Sequence, residues 1–487
     1  MKKTLTFYSI LFILFVVLQR GVGALTKVVL ANSITPYEYG IITLVAISLP
    51  GMFQLVSTLN FFYILSHAGE GKNYFGSAVA FSLLVTTLLA IILLIYNKEF
   101  FNYLNLPMER WELLYIVIIS SLLFISITVV FQGLFKGLRI YSMPGIIMTL
   151  PSLFRLAVVF ILVYILNINS FAIVILIFAL SNAIPLVYIS LSERFRSYIS
   201  MIRPINIPSK RMFVFGASLF IVGSFSSMGQ YIIKIVLSHD LGVVWQGYYD
   251  VSLTIASVLL FSVGTMSYVS VPEATNPNKN TIYEKGGLGD VTRGLFSLLV
   301  FLIIILYFYA DYIVVKFFSE DYILASEYVF ILAIGYLFNF IQIFLANLNL
   351  SFTKNAKDYI SLTIRSFFLL PLFFFLTRFL INFFEGYGYG NGFVGAYISY
   401  TALLSLYTLL TIHYSSDLSP LKILLHRIDR LITSLTVTFL FLYYIDPPVL
   451  IGIITSAALF TLLVISSGYL SKTMFLEIIR GSKPSLQ

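Results

Sequence analysis

Fourteen stretches of this 487-residue chain are apolar for long enough to cross a hydrocarbon layer, and they follow one another with little chain between them. A layer of about 30 Å takes about 20 helical residues, and inside it every backbone polar group must be satisfied within the segment, so such runs form helices. They span Leu5–Ala31, Glu38–Ser66, Tyr74–Asn97, Glu112–Phe135, Met143–Leu166, Ser170–Leu191, Met212–Ser238, Val243–Val271, Gly294–Phe317, Ser326–Phe352, Asp358–Phe384, Asn391–Tyr414, Arg430–Tyr444 and Val449–Leu470. With 59% hydrophobic and 10% charged residues, too little polar surface exists to cover soluble cores, so lipid is the solvent. The sequence therefore predicts an all-α integral membrane protein. Lys2 and Lys3 precede an apolar run that continues to Ala31 without a small-residue cleavage site, which reads as a retained first helix rather than a signal peptide.

An even number of spans puts both termini on one side, and the basic residues say which. Loops on the amino-terminal side carry Lys72, Lys136, Arg139, Arg194, Arg196, Lys210, Arg211 and many more, whereas the opposite loops hold only Lys98 and Arg110. Basic loops resist translocation, so both termini are expected in the cytoplasm and the protein in the cell membrane. The net charge of +9 is then mostly topology and gives no reason to invoke nucleic acid. Cysteine is absent, which excludes disulfides and thiolate metal sites.

The chain repeats itself. Lys27-Val-Val-Leu leads to Gly40, and Lys234-Ile-Val-Leu leads to Gly247, 207 positions later. The turn Lys136, Arg139, Tyr141 after span four returns as Lys354, Lys357, Tyr359 after span ten, with an offset of 218; the loop Pro272–Arg293 can hold the extra residues. Two matches at equivalent helices predict parallel six-helix halves. The expected organisation is an N-lobe over 1–191, an amphipathic cytoplasmic linker over 192–211, a C-lobe over 212–415, and a C-terminal helix pair with its tail over 416–487.

Charges inside the spans carry the functional signal. Seven basic residues remain once the loops are counted: Arg20, Lys27, Arg155, Lys234, Lys316, Arg365 and Arg378. Lys316 and Arg378 can reach toward the interface. A basic residue near a helix centre costs roughly 2.5–3.5 kcal/mol, so the other five must face water, counter-ions or a ligand. Asp250 is the acid set well inside a span; Glu38, Asp311 and Asp358 lie toward helix ends. An excess of cations over anions suits an anionic cargo, phosphate above all, since arginine offers a planar fork and lysine a point charge. Arg20, Lys27, Arg155, Lys234 and Arg365 are the candidate phosphate-binding residues. Asp250 is the candidate for ion coupling, with a fixed salt bridge to Lys27 or Lys234 as the alternative. Tyr248 and Tyr249 are candidates for stacking on sugar, or interfacial anchors. Pro50, Pro151, Pro185 and Pro371 mark places where a helix can bend.

Other chemical signals are missing. His67, His239, His413 and His426 have no metal-ligand spacing, and Gly286-Gly287-Leu288-Gly289 lacks the Gly-Lys-Ser/Thr ending of a phosphate loop. External loops are too short for a catalytic domain, which speaks against an enzyme and requires no cofactor beyond coupling to Na⁺, H⁺ or the membrane potential.

A first helix with an internal basic residue followed by Tyr37-Glu38-Tyr39-Gly40, together with the basic-Tyr turn Lys136, Arg139, Tyr141, resembles the Wzx-type polysaccharide flippases of the multidrug/oligosaccharidyl-lipid/polysaccharide exporter superfamily. In having fourteen helices the chain is also similar to lipid II flippases. The resemblance implies two lobes around a central cationic cavity, an extra hairpin over Arg430–Leu470, and alternating-access flipping of a polyprenyl- or dolichyl-(pyro)phosphate-linked oligosaccharide. It further implies a monomeric transport unit among membrane lipids, in company with saccharide-assembly enzymes. The alternatives are a cation-coupled multidrug exporter of the same superfamily and a membrane glycosyltransferase, polymerase or ligase acting on lipid-linked sugars.

Overall fold

The computed structural model describes residues 2–58, 61–65, 71–138, 140, 142–168, 170–192, 206, 227–259, 287–352, 356–386, 392–413, 421 and 425–470. Among them the regular structure is helical, with no strand. Among the described residues, each of the fourteen expected spans contains helix: α1 Lys2–Ala31, α2 Pro36–Thr58, α3 Phe75–Ile95, α4 Trp111–Gly137, α5 Ser142–Ile165, and α6 in two pieces, Phe171–Ser181 and Ile184–Leu191. Then come α7 over 227–240, α8 Val243–Ala256, α9 Gly287–Phe318, α10 Val329–Phe352, α11 Ala356–Glu385, α12 Gly392–His413, α13 Ile428–Ile445 and α14 Val449–Ser466. Nine described helices are long and apolar enough to cross a membrane by length and composition, or ten if the pieces of α6 form one span.

Of the four prolines, Pro185 sits at an open break, where the two pieces of α6 meet at 41°. Pro151 and Pro371 lie inside unbroken helices. In α2 the distortion precedes Pro50: residues Thr43–Ser48 form a π-helical stretch, with the Leu49 amide donating to the Leu44 carbonyl. Pro50 cannot donate to the carbonyl four residues back and its ring crowds it, so a widened turn on its amino-terminal side relieves both faults.

The chain divides into two compact units. The first comprises Met1–Val251, Phe317–Tyr322 and Tyr359–Tyr400, and so holds α1–α7 with the start of α8. Within it α1 runs along α5, where Thr149 donates to the Phe15 carbonyl at 3.2 Å and Gly145 leaves room for the Phe15 ring. Ser57 on α2 and Ser126 on α4 share a hydrogen bond at 2.5 Å, and Phe75, Phe131, Leu134, Phe135 and Ile147 join one buried apolar cluster. Small polar residues thus bring helices close where lipid supplies no hydrophobic drive. At the last residue of α7, the Asp240 carboxylate lies 3.4 Å from Arg378 on α11.

The second unit comprises Ser252–Lys316, Ile323–Asp358 and Thr401–Gln487. Thr401 and Thr408 on α12 donate to the Ile331 and Phe338 carbonyls of α10 at 2.7 and 2.8 Å. Phe301 of α9 stacks on Phe460 of α14 at 4.9 Å between centroids. Arg427 and Arg430 cap the far end of the α13–α14 hairpin by donating to the carbonyls of Gly468 and Ser467, satisfying oxygens that a helix end leaves open.

Most of the linker 192–211 and residues Arg139, Tyr141 and Lys354 of the repeated turns lie outside the described residues. The same holds for the side chain of Arg365, whose backbone belongs to α11.

Candidate functional site

Two short reversals build the site. After α1 the chain turns through Asn32–Thr35, and Thr35 with Glu38 forms a capping box: the Glu38 amide donates to Thr35 Oγ1 and the Thr35 amide to Glu38 Oε2, both at 3.3 Å. Glu38 is therefore spent on starting α2, with Pro36 in the first turn where no amide partner is needed. After α7 the chain turns at Gly242, whose φ of 102° lies in the region open to glycine, and α8 begins at Val243.

Just inside both reversals, Lys27 and Lys234 meet on one carboxylate. Lys27 Nζ lies 2.7 Å from Asp250 Oδ2, and Lys234 Nζ lies 2.5 Å from Oδ1. Tyr39 donates its hydroxyl hydrogen to Oδ2 at 3.0 Å, and Lys234 donates a second bond to Ser48 Oγ at 3.2 Å, inside the π-helical stretch of α2. The depths agree: at 1.5 Å per residue, Lys27 is about 6 Å from the end of α1, Lys234 about 9 Å from the end of α7, and Asp250 about 10 Å into α8. Asp250 is fully buried and the Lys234 side chain is 5% exposed, but the Lys27 side chain keeps 21%. With all three groups ionised, the cluster carries one formal positive charge.

The contacts around this cluster obey a local two-fold rule. Position 36 corresponds to 243 under the offset of 207, 39 to 246, 40 to 247, and 43 to 250. A Cβ on Gly40 would lie 2.2 Å from the Val243 carbonyl oxygen, and one on Gly247 would lie 2.7 Å from the Pro36 carbonyl oxygen. Tyr39 bonds Asp250, and reciprocally Thr43 bonds Gln246 at 3.0–3.1 Å. A self-complementary pairing of i with the repeat mate of j, and of j with the repeat mate of i, defines a two-fold axis. That axis passes between α2 and α8 where the two glycines let the backbones touch.

Aromatic rings flank the cluster on the side of the two reversals. Tyr39 meets the edge of Tyr322 at 5.7 Å, and Tyr248 meets Tyr322 and Trp245 at 6.0 and 5.7 Å. Tyr249 is fully buried against Tyr397 at 5.2 Å, while Tyr248 keeps partial exposure.

The remaining candidates have other surroundings. Arg20 lies two turns below Lys27 on the same stripe of α1 and is exposed. Arg155 belongs to α5, where its Nε and Nη2 donate to Ser181 Oγ at 3.1 and 2.8 Å and Nη2 donates to Asn182 Oδ1 at 3.2 Å. Its guanidinium also sits 4.3 Å from the centroid of Phe178. Ser181 and Asn182 mark the break in α6, so Arg155 bridges α5 to that bend. Lys316 is exposed in the last turn of α9.

Tyr39, Thr43, Ser48 and Gln246 were absent from the sequence-derived site. The signal was available for three of them: projecting the 207-residue offset onto the residues around each lysine pairs Tyr39 with Gln246 and Thr43 with Asp250. Ser48 depends on the π-helical stretch, where Pro50 marks a distortion without saying which side chains it turns inward.

No protein-family model and no curated protein matches the chain by sequence. Solved structures do match it in fold. A lipid II flippase, MurJ, in an inward closed conformation superposes with a TM-score of 0.66 at 15% identity, covering 97% of this chain and all of that one. An inward-facing multidrug resistance MATE family transporter of the MOP superfamily gives 0.58 at 14% identity over 83% of this chain and 94% of its own. A MATE structure in the straight conformation gives 0.54 at 15% identity over 87% of this chain and 96% of its own. The chain thus has the helical membrane fold shared by MurJ and the MATE transporters.

Proposed function

We propose that this protein is a flippase that moves a lipid-linked, phosphate-bearing saccharide across the membrane by alternating access. The observation that carries the reading is the buried triad: two repeat-related lysines share one carboxylate within the span and leave one positive charge, with Lys27 as the more exposed ammonium. Lys27, with Arg20 two turns along the same stripe, supplies the contact for a phosphate or pyrophosphate, and Lys234 holds the carboxylate in place. The lipid tail stays in the bilayer while the polar head passes, so the protein need offer only charge and hydrogen bonds at the head. Both termini lie in the cytoplasm on this reading, and the saccharide moves to the opposite leaflet. Any coupling to H⁺ or Na⁺ acts at Asp250, by loosening its hold on one lysine. The fold held in common with a lipid II flippase supports the lipid-linked cargo.

The MATE likeness favours a second reading, a cation-coupled drug exporter. A cationic drug in a dry span calls for an acid free to meet it. Asp250 instead has an ammonium on each oxygen. Flipping of a fluorescent polyprenyl-pyrophosphate oligosaccharide in sealed proteoliposomes decides between them, with wild type compared against Lys27→Ala and Lys234→Ala. Protein-dependent flipping that drops at least tenfold in folded Lys27→Ala supports the flippase reading. Export of a cationic dye with no flipping of any carrier would replace it.

A further inference from the structure

We propose that position 43 sets the charge of this site: because Thr43 stands where the two-fold rule would put a second carboxylate, the two repeat-related lysines share Asp250, and an arriving anion meets two ammoniums on one carboxylate. The inference rests on the anion-transport reading and assigns that property to a residue outside the charged triad. The triad is the asymmetric part of a symmetric frame. Backbone contacts are reciprocal at positions 36, 40, 243 and 247, and side-chain bonds are reciprocal between Tyr39 and Asp250 and between Thr43 and Gln246. The lysines are repeat mates too. Their acid is not, since the mate of Asp250 is a threonine.

Geometry makes position 43 equivalent in place as well as in sequence. Asp250 follows Lys234 by 16 residues and faces Lys27 across the axis, and position 43 follows Lys27 by the same 16 residues. The π-helical stretch begins at Thr43, so the helix leading up to it, Pro36–Ile42, still matches the start of α8 turn for turn. Thr43 is fully buried, and its Oγ1 already lies within hydrogen-bond distance of both the Oε1 and the Nε2 of Gln246, so a side-chain amide is in place to donate to a carboxylate there. A carboxylate at 43 would give each lysine its own partner. An incoming anion would then meet two one-to-one desolvated ion pairs instead of two ammoniums sharing one carboxylate.

The test uses full-length protein in detergent and inorganic pyrophosphate as the probe, with affinity measured by calorimetry and stability by thermal unfolding. Thr43→Asp and Thr43→Asn differ in charge but hardly in shape. We expect Thr43→Asp to bind pyrophosphate at least about tenfold more weakly than Thr43→Asn while unfolding at an equal or higher temperature. A purely structural role for position 43 would not separate the two readouts in this way. The double variant Thr43→Asp with Asp250→Asn carries the carboxylate across the axis and keeps the charge count, so it should bind within a few-fold of wild type. Should Thr43→Asp fail to fold, the double variant decides alone.

Equal affinities in folded Thr43→Asp and Thr43→Asn, or a folded double variant that has lost binding, would overturn the inference and leave the flippase reading standing. Wild type that binds no pyrophosphate would overturn both. Wild type that binds it, with the expected variant pattern but no lipid flipping, would keep the charge-setting role and sink the transport reading.

Discussion

Arg155 and the Lys27–Lys234 pair are cations within the spans of one unit, yet their surroundings have little in common. Arg155 is held by Ser181, Asn182 and the face of Phe178. The two lysines converge on a carboxylate. A guanidinium spreads its charge over a plane and offers five donors, so neutral oxygens and a ring can accommodate it; an ammonium concentrates its charge and needs an anion when water is removed. The comparison teaches that a basic residue in a span is not by itself a ligand site. Arg155 ties α5 to the bend of α6, and the lysine cluster concentrates charge.

The comparison breaks most sharply at Asp250. Asp250→Asn leaves Lys27 and Lys234 together without their acid, and thermal unfolding in detergent should show a loss of roughly 3–5 kcal/mol. Gly40→Ala comes next, at about 3 kcal/mol, because its Cβ would meet the Val243 carbonyl oxygen and backbone cannot swing aside. The same substitution should disturb flipping, since it spreads the crossing that brings the lysines together. Arg155→Ala should cost about 2 kcal/mol through its charged hydrogen bonds, yet leave flipping per folded molecule within twofold of wild type. If that variant instead folds well and stops flipping, Arg155 belongs with the lysines and the distinction drawn between them is wrong. Tyr39→Phe removes one donor to an already paired carboxylate and should cost about 1 kcal/mol, with flipping preserved.

How far the sequence reached can be seen in individual residues. Lys27, Lys234 and Asp250 were singled out because each is costly in lipid, and the structure brings those three together. Arg155 drew attention for the same reason, but its partners, Ser181 and Asn182, are ordinary polar residues that no charge count would flag. Glu38 looked like a counter-ion near a helix end and turned out to cap α2. Pro185 marked a bend and Pro151 did not, because what a missing amide does to a helix depends on what packs beside it.

The sequence by itself determined that the chain is helical, that it lives in lipid, and that the stretch around Lys27 is repeated around Lys234. These follow from local physics: run length against bilayer thickness, backbone satisfaction, and the cost of charge in hydrocarbon. Only the tertiary structure decided that Lys27 and Lys234 share Asp250, that Gly40 and Gly247 touch at the axis between them, and that Thr43 faces Gln246 as Asp250 faces Tyr39. Those are relations between helices more than 200 residues apart in the chain, fixed by how backbones cross, and a one-residue change in any helix's rotation would have sent the same side chains elsewhere.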